Sequence, residues 1–407
     1  MTIAQFVLLV GGAGSRLGSL TATTAKPLLP VGGRPFLDYL LDEVSRYGFG
    51  KALLLCGHGA AEVVSRYSGL TLRGMKVEAT IEPRPAGTAG ALKLAADLLD
   101  DRFCLANGDS LFDCNWLALC APEDGSPTWV ARMMLAGNVA GGRYGRVEVE
   151  HGQVKSFLPG GDRPELPINA GIYLVRKALL DTIGALPSSL ENDVLPLLAR
   201  RGLLQGHVEV GAFIDIGIPS DFERAQTLVP EIVRRPAVIL DRDGVLNEDL
   251  GYVHRIDQFR WIDGAPDAVR WLNDRGYFVF VATNQAGVAR GYYEESSIET
   301  LHNWMRSDLQ RAGAHVDAFE YCPFHVEGTV ERYRRASEMR KPQPGMIRKL
   351  LDEWPVDRSR SLMIGDKPTD IAAGEAAGIP GHLFSGGNLL EFVRRLVPER
   401  QRTAAGD

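Results

Sequence analysis

Phe6-Val-Leu-Leu-Val10 runs straight into Gly11-Gly-Ala-Gly14, and Ala237-Val-Ile-Leu240 runs straight into Asp241-Arg-Asp-Gly244. Each is a short apolar run followed at once by a turn of small or acidic residues. Such runs suit central strands of a parallel sheet, buried on both faces. Working outward, the same alternation recurs. Residues 35–47 carry Phe36, Leu37, Leu40, Leu41 and Val44 at helical spacing. Lys51–Cys56 reads as a strand and 87–99 as a helix, while 103–106 reads as a strand ending at Asn107-Gly-Asp109. After the second run, 265–275 reads as a helix and 277–282 as a strand ending at Thr283-Asn-Gln285. A helix over 297–312 and a strand over 361–364, ending at Gly365-Asp-Lys367, complete the pattern. The alternation predicts α/β layering with right-handed crossovers. In such sheets ligands bind beyond the carboxyl ends of the strands. All these polar turns fall there, which predicts two sites.

At roughly 150 residues per domain, 407 residues make two or three domains. The stretch Pro230-Glu-Ile-Val-Arg-Arg-Pro236 marks a boundary, giving domains over 1–231 and 236–392. Apolar residues at 45% and charged residues at 24% are the proportions of a globular protein and exclude a disordered tail, a collagen or a coiled coil. A net charge of -6 leaves no basic footprint for a nucleic-acid partner. Five cysteines form no C-x-x-C pair and no disulfide framework, which points to the reducing cytoplasm. Apolar runs are too short and broken for a membrane partner, and the N-terminus reads as a strand rather than a signal peptide. These patterns do not encode an oligomeric state.

At the first turn, Gly11, Gly12 and Gly14 let the backbone approach phosphates and aim its N–H groups at them. The pattern is neither G-x-G-x-x-G, since Leu17 holds the last position, nor a Walker loop. Arg16 and Lys26 flank the turn ten residues apart, a spacing that suits a triphosphate.

Gly11-Gly-x-Gly-Ser-Arg-Leu17 followed by Lys26-Pro-Leu-Leu-Pro-Val-Gly-Gly-Arg-Pro35 resembles the signature of sugar-1-phosphate nucleotidyltransferases. The resemblance extends to about residue 230. It takes in Glu82 with Gly87-Thr88-Ala-Gly90, Asn107-Gly-Asp109, Tyr144-Gly145-Arg146, Asn169-Ala-Gly171, Glu191 and Phe213-Ile-Asp-Ile-Gly217. It implies a mixed sheet of the GT-A-like kind and a reaction of an NTP with a sugar 1-phosphate that releases pyrophosphate. By the same resemblance Asp109 and Asp215 bind Mg²⁺, and Arg16 and Lys26 hold the phosphates. Gly11, Gly12, Gly14, Glu82, Gly87, Thr88 and Asn107 line the nucleotide, and Gly145, Asn169 and Glu191 hold the sugar. The alternative for Glu191 is a solvated residue or a helix-start carboxylate. One departure stands out: Pro159-Gly160 occupies the place of a Glu-Lys pair whose lysine contacts the sugar phosphate in the family. Lys155 and Arg163 are the cations that could replace it.

In the second half, Asp241 and Asp243 sit two apart at a strand end. An EF-hand would need Glu at the twelfth position, where Tyr252 stands. With Thr283, Lys341 before Pro342, and Asp366 with Asp370, the ordered set resembles the haloacid dehalogenase (HAD) superfamily of phosphatases and implies its parallel sheet. That resemblance makes Asp241 the nucleophile and Asp243 the general acid and base. Mg²⁺ would be held by Asp241, the Asp243 carbonyl and Asp366. Thr283 and Lys341 would hold the phosphoryl oxygens, and Asp370 would orient Lys341 or Lys367. Longer matches, Gly251-Tyr-Val-His254, Thr283-Asn284-Gln-Ala-Gly-Val-Ala-Arg-Gly291, Tyr321-Cys-Pro323 and Arg340-Lys-Pro-x-Pro-Gly345, resemble heptose 1,7-bisphosphate phosphatases and their histidinol-phosphate relatives. They place Asn284, Arg340 and Lys367 among the binding residues. Those families often carry a zinc loop of one His and three Cys. Here only Cys322 is kept, with Phe324, Ser337 and Met339 at the other positions, so no zinc is expected.

Together the resemblances imply a bifunctional enzyme of nucleotide-activated heptose synthesis that takes an NTP and heptose phosphates, with Mg²⁺ at both sites. Glu82 could accept from guanine N1–H and its amino group, which favours GTP and leaves ATP, CTP and dTTP open. The alternatives are a mannose- or glucose-1-phosphate nucleotidyltransferase fused to another phosphatase, or a binding protein that has lost turnover.

Overall fold

The computed structural model describes residues 3–398 apart from 13, 22–23, 122–128, 140–142 and 162. Met1 and Thr2 of the expected first domain, and Ala13 of the glycine turn, lie outside the described residues. The chain divides between Ile232 and Val233 into two compact units.

The first unit is built on a ten-stranded mixed sheet. Its parallel core sets Gln5–Leu9 between Arg102–Asn107 and Lys51–Cys56, with Met75–Ile81 beyond. Ile168–Arg176 adds antiparallel to Arg102–Asn107, and Ala131–Gly137 adds antiparallel to Ile168–Arg176. Val7, Leu53, Leu55, Phe103 and Leu105 lie buried in one apolar cluster with Met133, Leu135, Tyr173 and Val175. Phe6, Leu8, Leu54 and Cys104, which alternate with them, are buried too, so these near-continuous apolar strands are packed on both faces, as their composition demands. Helix Phe36–Ser45 buries Phe36, Leu37, Leu40, Leu41 and Val44 on one side.

The second unit holds a five-stranded parallel sheet in the order Ala318–Cys322, Phe278–Asn284, Ala237–Leu240, Leu362–Gly365, Gly381–Leu383. Helices Ala265–Asp274, Glu295–Arg311, Gly345–Glu353 and Pro368–Ala376 connect the strands. Two buried clusters, one around Val238, Leu240, Val279 and Val281 and one around Ile239, Phe278, Phe280 and Met363, take up alternate residues of the strands. That is the period-two pattern of strands covered on both faces.

Two boundaries differ from the sequence reading. The helix expected over 87–99 stops at Leu94 and is followed by a 3₁₀ turn, Ala96–Leu98. Beyond that turn Gln5 holds the chain: its Nε2 donates to the Leu98 carbonyl and its Oε1 accepts from the Asp100 amide, each at 2.8 Å. A side chain 93 residues upstream thus fixes the exit of the 3₁₀ turn. The stretch expected as a linker from Pro230 is helical to Val233 within Pro219–Val233. Pro230 costs that helix only the bond its absent N–H would give the Gln226 carbonyl, near the last turn. Among the described residues no helix is long and apolar enough to cross a membrane.

Candidate functional site

In the first unit the carboxyl ends of the parallel strands open on a cavity of about 640 Å³. Gly11, Gly12, Lys26, Glu82, Gly87, Thr88, Asn107, Asp109 and Glu191 all line it. Glu82 follows directly on strand Met75–Ile81, and its amide donates to the Cys56 carbonyl at 2.8 Å. Its carboxylate lies over Gly57 so closely that a Cβ there would collide with Oε1 and stand 2.7 Å from the Gly11 carbonyl. Two glycines on neighbouring strand ends therefore make room for one carboxylate. Burial raises the Glu82 carboxyl above its ordinary value. Its Oε2 accepts from the Ala86 amide at 3.4 Å, so it also closes the turn before helix Gly87–Leu94.

Glu191 is fixed by Thr88, whose hydroxyl donates to Oε2 at 2.8 Å and accepts from the Leu190 amide at 2.7 Å. Ser189 donates to the same oxygen at 3.1 Å. It stands in the first turn of the segment Leu190–Val194 and faces the cavity as well.

Lys26, almost fully buried, pairs with Asp109 and stands 3.9 Å from Asp215 Oδ1. Asp215 does not line the cavity, but it shares that lysine with Asp109. Burial, and then repulsion from Asp109, raise the Asp215 carboxyl, against the pull of Lys26 and Arg143. A methyl group built on Gly217 would lie 2.6 Å from Asp215 Oδ1, 3.2 Å from Lys26 Nζ and 3.4 Å from Arg16 Nη2. The exposed Arg16 thus converges on the same spot. Two carboxylates that share one buried lysine, with an arginine beside Asp215, suit a hard divalent ion shared with phosphate oxygens.

Gly14, Gly145 and Asn169 are not among the cavity's lining residues. Asn169 is turned onto its own strand, with Nδ2 donating to the Tyr173 hydroxyl at 2.7 Å and Oδ1 accepting from the Gly171 amide at 2.9 Å. Neither substitute for the missing lysine reaches the cavity: Lys155 pairs with Glu150 at 3.6 Å, and Arg163 pairs with Glu165 at the surface. Arg143, unmarked in the sequence reading, binds Asp221 and lies 3.7 Å from Asp215. Its only signal was its place directly before Tyr144-Gly145.

The second unit carries a cavity of about 430 Å³, lined by Asp241, Asp243, Thr283, Asn284, Arg340, Lys341 and Lys367 of the expected set. Lys341 Nζ sits 2.9 Å from Asp241 and 2.7 Å from Asp370. Burial lifts the Asp241 carboxyl to about 6 despite the opposing pull of Lys341. Asp370 also accepts from the Lys367 amide at 3.0 Å. Lys367 itself turns to Asp249 at 3.0 Å and Asp366 at 3.6 Å.

Asp241, Asp366 and Asp370 offer oxygens within 4.8 Å of one another. Asp366 packs over Gly244, where a Cβ would collide with its carboxylate, and its buried Oδ1 has no hydrogen-bond partner. An orphaned anionic oxygen beside two further carboxylates fits a divalent cation.

Asp243 is held from three sides. The fully buried Arg242 donates to its two oxygens at 2.9 and 3.1 Å, Asn247 donates at 2.9 Å, and Gln285 donates at 2.9 Å. Gln285 also bonds Thr283 at 2.9 Å and accepts from the Tyr293 hydroxyl at 2.7 Å. Asn284, expected to contact ligand, clasps the Lys341 backbone, donating to its carbonyl at 3.0 Å and accepting from its amide at 3.1 Å. The Cys322 loop closes by packing. Phe324 lies 5.9 Å from Tyr333, Arg335 covers Phe324 at 4.0 Å, and Tyr321 and Tyr333 both donate to Glu295.

Residues 5–231 match the family model described as nucleotidyl transferase. The chain belongs to that family. This nucleotidyl transferase carries a second match, to a HAD-hydrolase-like family, over residues 338–392. It is 49% identical over 174 residues to the D-glycero-beta-D-manno-heptose-1,7-bisphosphate 7-phosphatase of Rhodopseudomonas palustris, an alignment spanning 43% of this chain and 97% of that protein. The protein of the same name from Escherichia coli K12 is 45% identical over 169 residues, 42% of this chain and 86% of its own. Among solved structures, HddC from Yersinia pseudotuberculosis is 28% identical with a TM-score of 0.49, covering 56% of this chain and 98% of that one. The nucleotidyl transferase is thus an enzyme joined to a HAD phosphatase unit.

Proposed function

We propose that this chain removes the 7-phosphate of D-glycero-D-manno-heptose 1,7-bisphosphate in its C-terminal unit and transfers GMP from GTP to the resulting heptose 1-phosphate in its N-terminal unit. The observation that carries this reading is the second cavity. Besides Asp241 and Lys341 it gathers Arg290, Arg340 and Lys367, more cations than a single phosphate needs. A sugar bisphosphate supplies the second anion, and its hydrolysis product is the substrate class of the unit fused to it. The names of the phosphatase relatives support the heptose, and the paired acceptors of Glu82 support guanine. Five free thiols suit a cytoplasmic enzyme.

In the phosphatase unit Asp241 attacks phosphorus and the bond to the sugar oxygen breaks, leaving an aspartyl phosphate. Asp243 gives its proton to that leaving oxygen, then takes one from the water that attacks phosphorus and frees Asp241. Thr283 and Lys341 hold the phosphoryl oxygens, and Asn284 and Asp370 fix Lys341. Bound Mg²⁺, held by Asp241, Asp366 and the Asp243 carbonyl, would offset the repulsion between an anionic nucleophile and an anionic phosphate. In the transferase unit the sugar phosphate oxygen displaces pyrophosphate from the α-phosphorus. That reaction needs positioning and charge neutralisation more than covalent chemistry. Arg16, Lys26 and the Gly11–Gly12 backbone supply both, and Asp109 with Asp215 form the second cradle fit for Mg²⁺.

The test is a pair of variants in the full chain. Asp241→Asn abolishes phosphate release from heptose bisphosphate and still converts supplied heptose 1-phosphate with GTP. Asp109→Asn does the reverse and accumulates heptose 1-phosphate. Loss of both activities in either folded variant would contradict the assignment of the two sites.

A further inference from the structure

Strands Arg102–Asn107 and Ile168–Arg176 lie side by side and antiparallel, and their register sets Arg176 directly opposite Arg102. Opposed side chains in such a pair share one face of the sheet. Arg132 pairs with Leu174 from the other side of that strand, so it stands on the same face. The three guanidiniums gather around one indole. Their central carbons lie 5.4 Å (Arg102), 4.6 Å (Arg132) and 4.2 Å (Arg176) from the ring centre of Trp129, a residue only 2% exposed. None of the four lines either cavity. Arg102 begins the strand that Asn107 ends, so the cluster is roughly 17 Å from the cavity end of that strand.

Gathered cations repel one another, and a guanidinium withdrawn from water is costly unless it is paired. Arg132 is held by neutral oxygens: its Nε donates to Gln205 at 2.9 Å, and its Nη1 donates to the Leu119 and Ala121 carbonyls at 2.8 and 3.0 Å. Arg102 and Arg176 are not so held. Among the described residues neither side chain has a carboxylate partner, and the buried Nε of each, like the buried Nε1 of Trp129, has no hydrogen-bond partner. The face of an indole attracts a cation, but it gives no acceptor to these three N–H groups. Buried indole and guanidinium donors ordinarily find one. Orphaned donors beside a surplus of positive charge match an oxyanion. A carboxylate presents its oxygens in one plane, whereas a phosphate presents them on every side, carries more charge and fits the planar fork of arginine.

We propose that Arg102, Arg176 and Trp129, with Arg132 beside them, form a binding site for a phosphate or diphosphate anion, apart from both reaction centres. The test follows the indole N–H resonance of Trp129 in the full chain, labelled at the tryptophan indole nitrogens and assigned by the resonance that Trp129→Phe loses. Sodium phosphate, sodium pyrophosphate and sodium chloride are titrated in turn at matched ionic strength. The Trp129 resonance moves saturably with phosphate or pyrophosphate and stays in place with chloride, and the anion that half-saturates the shift at the lower concentration is the one the site is built for. In the Arg102→Gln/Arg176→Gln double variant the half-saturating concentration rises about tenfold or more, as expected when charge-assisted hydrogen bonds to an anion are lost. A wild-type Trp129 resonance that neither anion moves would overturn the inference, whether or not the double variant folds. A shift of undiminished affinity in the folded double variant would overturn it too, because the movement would then come from anion bound in a reaction centre. Either result leaves the proposed function standing.

Discussion

Glu82 presents two acceptors and no donor to the first cavity when ionised. Guanine offers two adjacent donors on its Watson–Crick edge, whereas adenine sets an acceptor beside one donor. Glu82→Gln is therefore expected to cut GTP use by about 1–3 kcal/mol of transition-state stabilisation and to affect ATP use far less. Initial rates with each nucleotide check this, and equal losses would remove the base-reading role. Asp241 is the residue whose titration bears most on the second cavity. Burial lifts its carboxyl to about 6, above the unfolded value of about 3.9. Between those values the folded chain binds the extra proton, so this group's contribution to stability falls as pH rises through that window when no cation is present. A cation requires the ionised form. In Asp109→Asn, where the first cradle is disabled, Mg²⁺ affinity by calorimetry is expected to drop about tenfold from pH 7.5 to pH 5. An affinity independent of pH would contradict the cradle. The sequence revealed these acidic residues because they end strands, where chemistry collects. It did not reveal that Asn284 serves Lys341 or that Arg143 reaches Asp215, because those contacts join segments 57 and 72 residues apart.

At the scale of elements, strands were the most legible. Lys51–Cys56 has the same limits in sequence and structure, because an apolar run bounded by Gly50 and Gly57 carries its own ends. Helix ends were less so: the helix closes at Leu94, and the chain beyond it is held by Gln5, a contact which no local pattern announces. The Cys322 loop shows a third case. Its expected ligand positions are occupied by Phe324, Ser337 and Met339, and aromatic and guanidinium contacts close the loop. We expect elemental analysis of the purified chain to find no stoichiometric zinc, and one tightly bound zinc per chain would contradict that account of the loop.

At the scale of the whole molecule, both sheets were foreshadowed by their first strands and the glycine or aspartate turns that follow them. The surroundings of the residues expected to hold the sugar were not. Asn169 turns onto Tyr173, Gly145 is not part of the lining, and Lys155 and Arg163 pair with surface carboxylates. Positions along a strand do not reveal which neighbour will claim a side chain. The central claim is that the product of one unit is the substrate of the other. The most direct measurement incubates the full chain with Mg²⁺, heptose 1,7-bisphosphate and each of the four NTPs in turn, and identifies products by mass. The account predicts one phosphate, one pyrophosphate and one GDP-heptose per sugar consumed, with GTP the preferred nucleotide. Phosphate release with no nucleotide sugar from any NTP, or a nucleotide sugar that still carries the 7-phosphate, would contradict it.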